Sequence, residues 1–254
     1  NCAEDLNKQY RPSYGAVGDA KLVLQQMIEE AKRQLGENGR EDVHGVVAEI
    51  AKVRAAWMEV WDPLLTSDEV PINPYRVFTE LAKSVNVADT IVTHDSGYPR
   101  DQLVPFWQTV KPRGYIGWGK STQLGYGLGL IMGAKLAEPE KICINIMGDA
   151  AIGMVGMDIE TAARNRIGIL TIVFNNGVMA IERDSMPFAI ENFAAHDQGG
   201  DYRTVAEALG GWGVKVESPN SFVPALHQAL DVTRTGQPAL IECITKECHD
   251  ISQY

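Results

Sequence analysis

The sequence predicts an α/β protein: a parallel sheet with helices on both faces, preceded by a short helical segment. Three observations carry that expectation. Runs such as "KICINIMG" (141–148) and "GILTIVFN" (168–175) are apolar at almost every position, as strands covered on both faces are. Stretches with apolar residues three and four apart separate these runs, which is helical spacing. The strand-like runs also end in small or polar clusters: "HDSGYPR" (94–100), "GDAAIG" (148–153) and "NNGVMAIE" (175–182).

The elements follow in order. "GDAKLVLQQMIEEAKRQL" (18–35) reads as an amphipathic helix capped by Asp19, with Leu22, Leu24, Met27, Ala31 and Leu35 on one face. A second helix runs from Val43 to about Asp62-Pro63. "TSDEVPINP" (66–74) reads as a linker, so the chain divides into residues 1–66 and residues 67–254. "NPYRVFTELAKSV" (73–85) is a helix with Asn73 as cap and Pro74 at its first position. A strand and its exit follow at 89–97, then a small-residue helix at 124–139 and the strand at 141–148. One helix is expected over 153–166, then the strand at 168–175 and a helix over 202–211. A strand (214–218), a helix (221–235) and a last strand (238–245) complete the pattern.

Composition narrows the function. A net charge of −10 argues against nucleic acid as a partner, and no apolar run is long enough to span a membrane. The polar N-terminal stretch lacks the apolar core of a signal peptide, and the four cysteines are scattered, so a cytoplasmic protein without a disulfide framework is expected. "CITKECHD" (243–250) matches no common zinc spacing. "GYGLGL" (125–130) precedes a strand instead of following one, which excludes a dinucleotide-binding turn.

Ligands of parallel sheets bind beyond the carboxyl ends of the strands. There Asp149 offers a carboxylate and Asn176 an amide oxygen, hard donors suited to Mg²⁺ with phosphate oxygens. Gly148 permits close backbone approach, and the helix opening at "AAIGM" favours an anion. Singly, Asp149 reads as a helix cap and Asn175-Asn176 as a turn; jointly they read as a magnesium-bridged diphosphate site.

"GDA", residues 151–174, then "NN" resembles the thiamine-diphosphate signature Gly-Asp-Gly…Asn-Asn, with Ala150 in the third position. "GKSTQLGYGLGLIMGAKLAEPEKICINIMGDA" (119–150) is similar to the acetolactate synthase branch of that family, and "NKQYRPSYGAVGDAKLVLQQM" (7–27) to the end of its middle domain. The resemblance implies a thiamine-diphosphate-binding fold over 67–254, preceded by a remnant of the middle domain at 1–66. It implies Mg²⁺ ligands at Asp149, Asn176 and the Val178 carbonyl, and diphosphate contacts at the backbone of Ala150 and Ala151. Ser96, Gly97 and Tyr98 match a loop that contacts the diphosphate, where Gly-Gln-His is commoner; Arg100 either neutralises phosphate or forms a surface ion pair. Leu124 takes the place of the residue that props the cofactor in its folded shape, and the backbone of Thr122 and Leu124 that of the aminopyrimidine contacts. Gly148, Met179 and Ala180 complete the cofactor-binding set, while Met179, Ile181 and Glu182 face substrate, Glu182 as a catalytic candidate alongside Leu124.

The implied activity is decarboxylation or carboligation of a 2-keto acid with thiamine diphosphate and Mg²⁺; flavin (FAD) binding stays open, because most of a middle domain is absent. A 2-hydroxyacyl lyase or simple 2-keto acid decarboxylase is the alternative. A catalytically silent scaffold subunit is a third reading, against which the intact Asp149 and Asn176 speak. The family's activating glutamate lies on a pyrimidine-binding domain, and nothing in residues 1–254 matches that segment. The resemblance therefore implies a partner domain or subunit and an oligomer, homo- or hetero-oligomeric, with a dimer of dimers among the arrangements.

Overall fold

The computed structural model describes residues 2–39, 43–117 and 123–252. The chain forms two compact units, residues 1–60 and 61–254.

The first unit is helical. α1 (Ala20–Leu35) starts where Asp19 Oδ1 accepts the Leu22 N–H at 3.1 Å, the expected cap. Its apolar stripe is uncovered: Leu22, Leu24, Met27 and Leu35 are all exposed, and α1 buries no residue. α2 (Val43–Leu65) runs on into the second unit through Pro63, two residues beyond the sequence expectation, and there buries Trp61 and Leu65. Those two belong to the second unit, where Trp61 packs on Tyr75 and Phe106 with ring centroids 5.0 and 5.4 Å apart.

The second unit is built on a six-stranded, all-parallel sheet: β1 (Thr90–His94), β2 (Tyr115–Ile116), β3 (Ile142–Gly148), β4 (Leu170–Asn175), β5 (Trp212–Val216) and β6 (Ala239–Ile244), in spatial order β2-β1-β3-β4-β6-β5. The α/β parallel-sheet expectation therefore holds. β2 was not expected; two residues are too few to show a periodicity, and the strand exists because Val92 and Thr93 pair with it at the sheet edge.

Alternating side chains divide between two helical layers. On one face Cys143 and Met147 of β3, Val173 of β4 and Leu240 of β6 join a core with α5 (Tyr126–Ala137), α7 (Asp158–Arg164) and α9 (Tyr202–Ala208). On the other lie α3 (Pro74–Ser84) and α10 (Pro219–Arg234), with Phe78 of α3 against Phe174 of β4 at 5.2 Å. Asn73 caps α3 as expected, its Oδ1 accepting the Tyr75 N–H at 3.0 Å.

The single helix expected over 153–166 is two: α6 (Asp149–Val155) and α7, separated at Gly156-Met157. Glycine is a poor helix former, and Gly156 lies so close to the Ile152 carbonyl that a Cβ there would meet its oxygen at 2.7 Å. α4 (Tyr98–Leu103) and α8 (Pro187–Phe193) are short additions at the carboxyl edge. Among the described residues no helix is long and apolar enough to cross a membrane.

Candidate functional site

The β3–β4 register places Gly148 opposite Phe174, so Asp149 and Asn176 leave adjacent strands at the same end of the sheet. The two exits are tied together. Asp149 Oδ1 accepts the Ala150 N–H and Oδ2 the Gly177 N–H, both at 2.8 Å. Gly177 makes this turn at φ +74°, a left-handed conformation that glycine adopts without strain. Asn176 Oδ1 accepts the Val178 N–H at 3.0 Å, which shapes the following loop. Asn175 turns the other way: its Nδ2 donates to Glu242 Oε1 at 2.7 Å. The two asparagines thus divide their work, Asn176 at the cleft and Asn175 in the sheet.

Asp149 is 2% exposed, and burial pushes its carboxyl above the ordinary range, against the pull of the backbone N–H groups of Ala150 and Gly177. Among the described residues no cationic side chain pairs with it, nor do three or more His, Cys, Asp or Glu side chains cluster as a metal site.

At the β1 exit Asp95 is fully buried and accepts three backbone N–H groups: Ser96 and Gly125 at 2.8 Å on Oδ1, Gly127 at 3.0 Å on Oδ2. It clamps the loop after β1 to the start of α5, whose cap Gly125 follows Leu124. Gly125 has φ +90°, and a Cβ there would meet Val155 Cγ1 at 2.4 Å. Gly97, also at φ +90°, opens α4, and Arg100 on that helix forms a two-pronged pair with Asp101 at 2.6 and 3.0 Å.

These exits line a half-open cleft. Ser96, Gly97 and Tyr98 line it from the β1 side, Leu124 from the loop before α5, and Gly148, Asp149, Ala150 and Ala151 from the β3 exit. Asn176, Val178, Met179, Ala180 and Ile181 line it from beyond β4. Glu182 is not part of the lining; it is half-buried at the end of the 3₁₀ turn Ala180–Glu182. Thr122 lies outside the described residues. The sequence reading missed a further wall: Thr245, Lys246 and Cys248 follow β6 and also line the cleft. A position just past a parallel strand was the available signal, but the charged run "TKECHD" reads as a surface tail.

The donors at the cleft have the chemistry a magnesium-bound diphosphate requires. A buried carboxylate after β3 without a cation partner among the described residues, and an amide oxygen and a backbone carbonyl on the loop after β4, are hard donors of the right kind. Where a Cβ of Gly148 would stand, nothing lies within 4 Å, which leaves room for close approach to the backbone. The residues present fit the group.

A family model described as "Thiamine pyrophosphate enzyme, C-terminal TPP binding domain" matches residues 95–243. A probable acetolactate synthase of Mycobacterium bovis is 29% identical over 213 residues, covering 83% of this chain and 38% of its own length. A 2-hydroxyacyl-CoA lyase of Oryza sativa subsp. japonica is 28% identical over 257 residues, covering 96% of this chain and 43% of its own. Among solved structures, the thiamine diphosphate-dependent 4-hydroxybenzoylformate decarboxylase of Rhodococcus jostii RHA1 superposes with a TM-score of 0.60 at 25% identity, over 69% of this chain and 33% of that one. The chain spans about two fifths of the length of the curated relatives it matches. With the cleft at the carboxyl edge and the matched segment running from Asp95 to Cys243, the chain belongs to the thiamine pyrophosphate enzyme family and carries its C-terminal TPP-binding domain.

Proposed function

We propose that this chain supplies the magnesium–diphosphate half of the active site of an acetolactate synthase-like enzyme that decarboxylates a 2-keto acid and joins the product to a second carbonyl. The observation that carries the reading is Asp149: a buried carboxylate lacking a cation partner among the described residues, beside Asn176 and at the mouth of a cleft. Its burial disfavours the charged form, and a divalent cation would restore it. Asp149, the Asn176 amide and the Val178 carbonyl are the Mg²⁺ ligands in this reading. The backbone of Ala150 and Ala151, with Ser96, Gly97 and Tyr98, meets the diphosphate. Leu124 and Met179 form apolar walls that hold the organic part in place and exclude water.

Bound thiamine diphosphate supplies the carbanion chemistry. The glutamate that activates it comes from a pyrimidine-binding domain outside these 254 residues, so the working unit is an assembly that includes that domain. Residues 1–66 are read as the end of the middle domain. Ile181 faces the substrate side; Glu182, outside the lining, acts only after movement of the 3₁₀ turn that bears it.

A second reading, a 2-hydroxyacyl lyase, has its own support: the rice 2-hydroxyacyl-CoA lyase aligns over more of this chain than the mycobacterial synthase does. Calorimetry of thiamine diphosphate binding with and without Mg²⁺ tests the cleft. Binding that depends on Mg²⁺ and is lost in Asp149→Ala is expected; equal binding by both proteins would sink the metal role. Product analysis of the assembled enzyme with pyruvate and longer 2-keto acids separates the two readings.

A further inference from the structure

Tyr98 lines the cleft, but its hydroxyl is held from behind. The oxygen lies 2.7 Å from His249 Nδ1, with the two rings edge-on at 5.3 Å. His249 Nε2 lies 3.0 Å from Glu247 Oε1. Glu247 in turn receives both prongs of Arg183, Nε at 2.9 Å and Nη2 at 2.6 Å. The segment that carries Glu247 and His249 is pinned on either side. Lys246 N donates to the Ile72 carbonyl at 3.0 Å, its Nζ pairs with Glu69 at 2.8 Å, and Gln102 Nε2 donates to the Cys248 carbonyl at 2.9 Å. The row of side chains therefore rests on a fixed backbone.

The hydrogen-bond directions along this row depend on the imidazole. Neutral His249 donates from Nε2 to Glu247 and accepts at Nδ1, which takes the Tyr98 proton. The phenol then shows only lone pairs to the cleft, the wrong sign for an anion. Protonated His249 donates from both nitrogens, and Tyr98 O–H is released to turn toward the cleft. No bond other than the new N–H forms, and the proton comes from solvent.

The groups acting on the pair are Asp101 from α4, Arg183 and Asp184 from the turn after Ala180–Glu182, and Glu247 and Cys248 from the tail. Against the upward push of burial, Arg183 and His249 hold the Glu247 carboxyl below its usual range, so it stays charged opposite the imidazole. Burial, reinforced by Asp184 and Glu247, raises the Tyr98 phenol, which keeps its proton throughout.

We propose that Tyr98, His249 and Glu247 form a proton-linked anion contact: a diphosphate entering the cleft draws a proton onto His249, which frees the Tyr98 hydroxyl to donate to a phosphate oxygen. His249 and Glu247 are positioning residues that act through Tyr98. The inference rests on the reading of the cleft as the diphosphate site.

The test is calorimetry of thiamine diphosphate with Mg²⁺ at about pH 7, in phosphate and in Tris, whose ionisation heats differ. The wild type, His249→Gln and Tyr98→Phe are compared. Ligand and metal are the same throughout, so their own protons cancel in the comparison. Net proton uptake should be larger in the wild type than in either variant. Wild-type affinity should also rise relative to His249→Gln by about 3- to 10-fold between roughly pH 8 and pH 6, the size of a charge-assisted hydrogen bond. Equal uptake in all three proteins would overturn the relay and leave the cleft reading intact. Absence of any binding by the wild type would overturn both.

Discussion

Two buried aspartates stand at neighbouring strand ends, Asp95 after β1 and Asp149 after β3. Both are almost free of solvent, and burial pushes both carboxyls up. Asp95 closes three backbone N–H groups around itself and holds loop to helix. Asp149 closes two and opens on a cleft. The same residue type in the same kind of position is closed in by the fold in one place and left facing a cleft in the other. Burial alone therefore does not mark a ligand site; a buried carboxylate that lines a cavity with no cationic partner among the described residues does.

The contrast can be broken experimentally, starting at the closed-in aspartate. Asp95→Ala leaves three buried N–H groups without an acceptor, so urea denaturation should show a loss of about 3–5 kcal/mol. A loss no larger than that of an ordinary surface substitution would remove the clamp from the argument. Asp149→Ala should cost thiamine diphosphate affinity by about 100-fold in the presence of Mg²⁺, or about 2.7 kcal/mol; it also takes an acceptor from the Ala150 and Gly177 N–H groups, so the melting temperature should fall, by less than in Asp95→Ala. Gly125→Ala tests whether the Asp95 clamp needs its left-handed turn: the strained backbone and the encounter with Val155 should cost about 2 kcal/mol of stability.

The subtlest test separates charge from shape. Asp149→Asn removes a buried charge but gives up one backbone acceptor, because its Nδ2 cannot take the N–H that Oδ1 or Oδ2 takes. Without metal, its advantage over the wild type at neutral pH is therefore the relief of the buried charge less that lost hydrogen bond. The folded-state carboxyl titrates above its unfolded value, so the folded chain holds a proton that the unfolded chain releases. That stabilising contribution is complete below about pH 3.8 and is lost as pH rises through the raised value. The stability of the variant relative to the wild type should therefore drop as pH falls. A gap that stays constant with pH would place the Asp149 effect in packing rather than in ionisation.

Much of this arrangement was legible in the sequence because it is local. Continuous apolar runs marked β3, β4 and β6, the caps at Asp19 and Asn73 marked two helix starts, and the small and polar residues after β3 and β4 marked the cleft. What stayed hidden depends on contacts between distant segments. Glu242 sits in an apolar run and is fully buried because Asn175, the Arg203 N–H and Lys215 reach it from three other elements. The segment after β6 walls the cleft because Ile72, Glu69 and Gln102 pin it. β2 and α4 are too short to carry a period. The stripe on α1 has helical spacing as read, but spacing says nothing of what covers it.

The all-parallel sheet also has a kinetic consequence. Among the described residues no strand meets its partner through a hairpin: Val92 pairs with Tyr115, Ile144 with Leu170, and Leu170 with Ala239. Each pairing closes a long loop before it gains a contact, which slows folding of such topologies. The cleft draws its walls from beyond β1, β3, β4 and β6, so it is complete only when all four are docked; the loop after β4 has a local antiparallel contact of its own, Val178 with Asp197. A folding intermediate with only its first three strands docked would have the Asp95 turn but no loop to meet Asp149, and ligand would accelerate only the last stage of assembly.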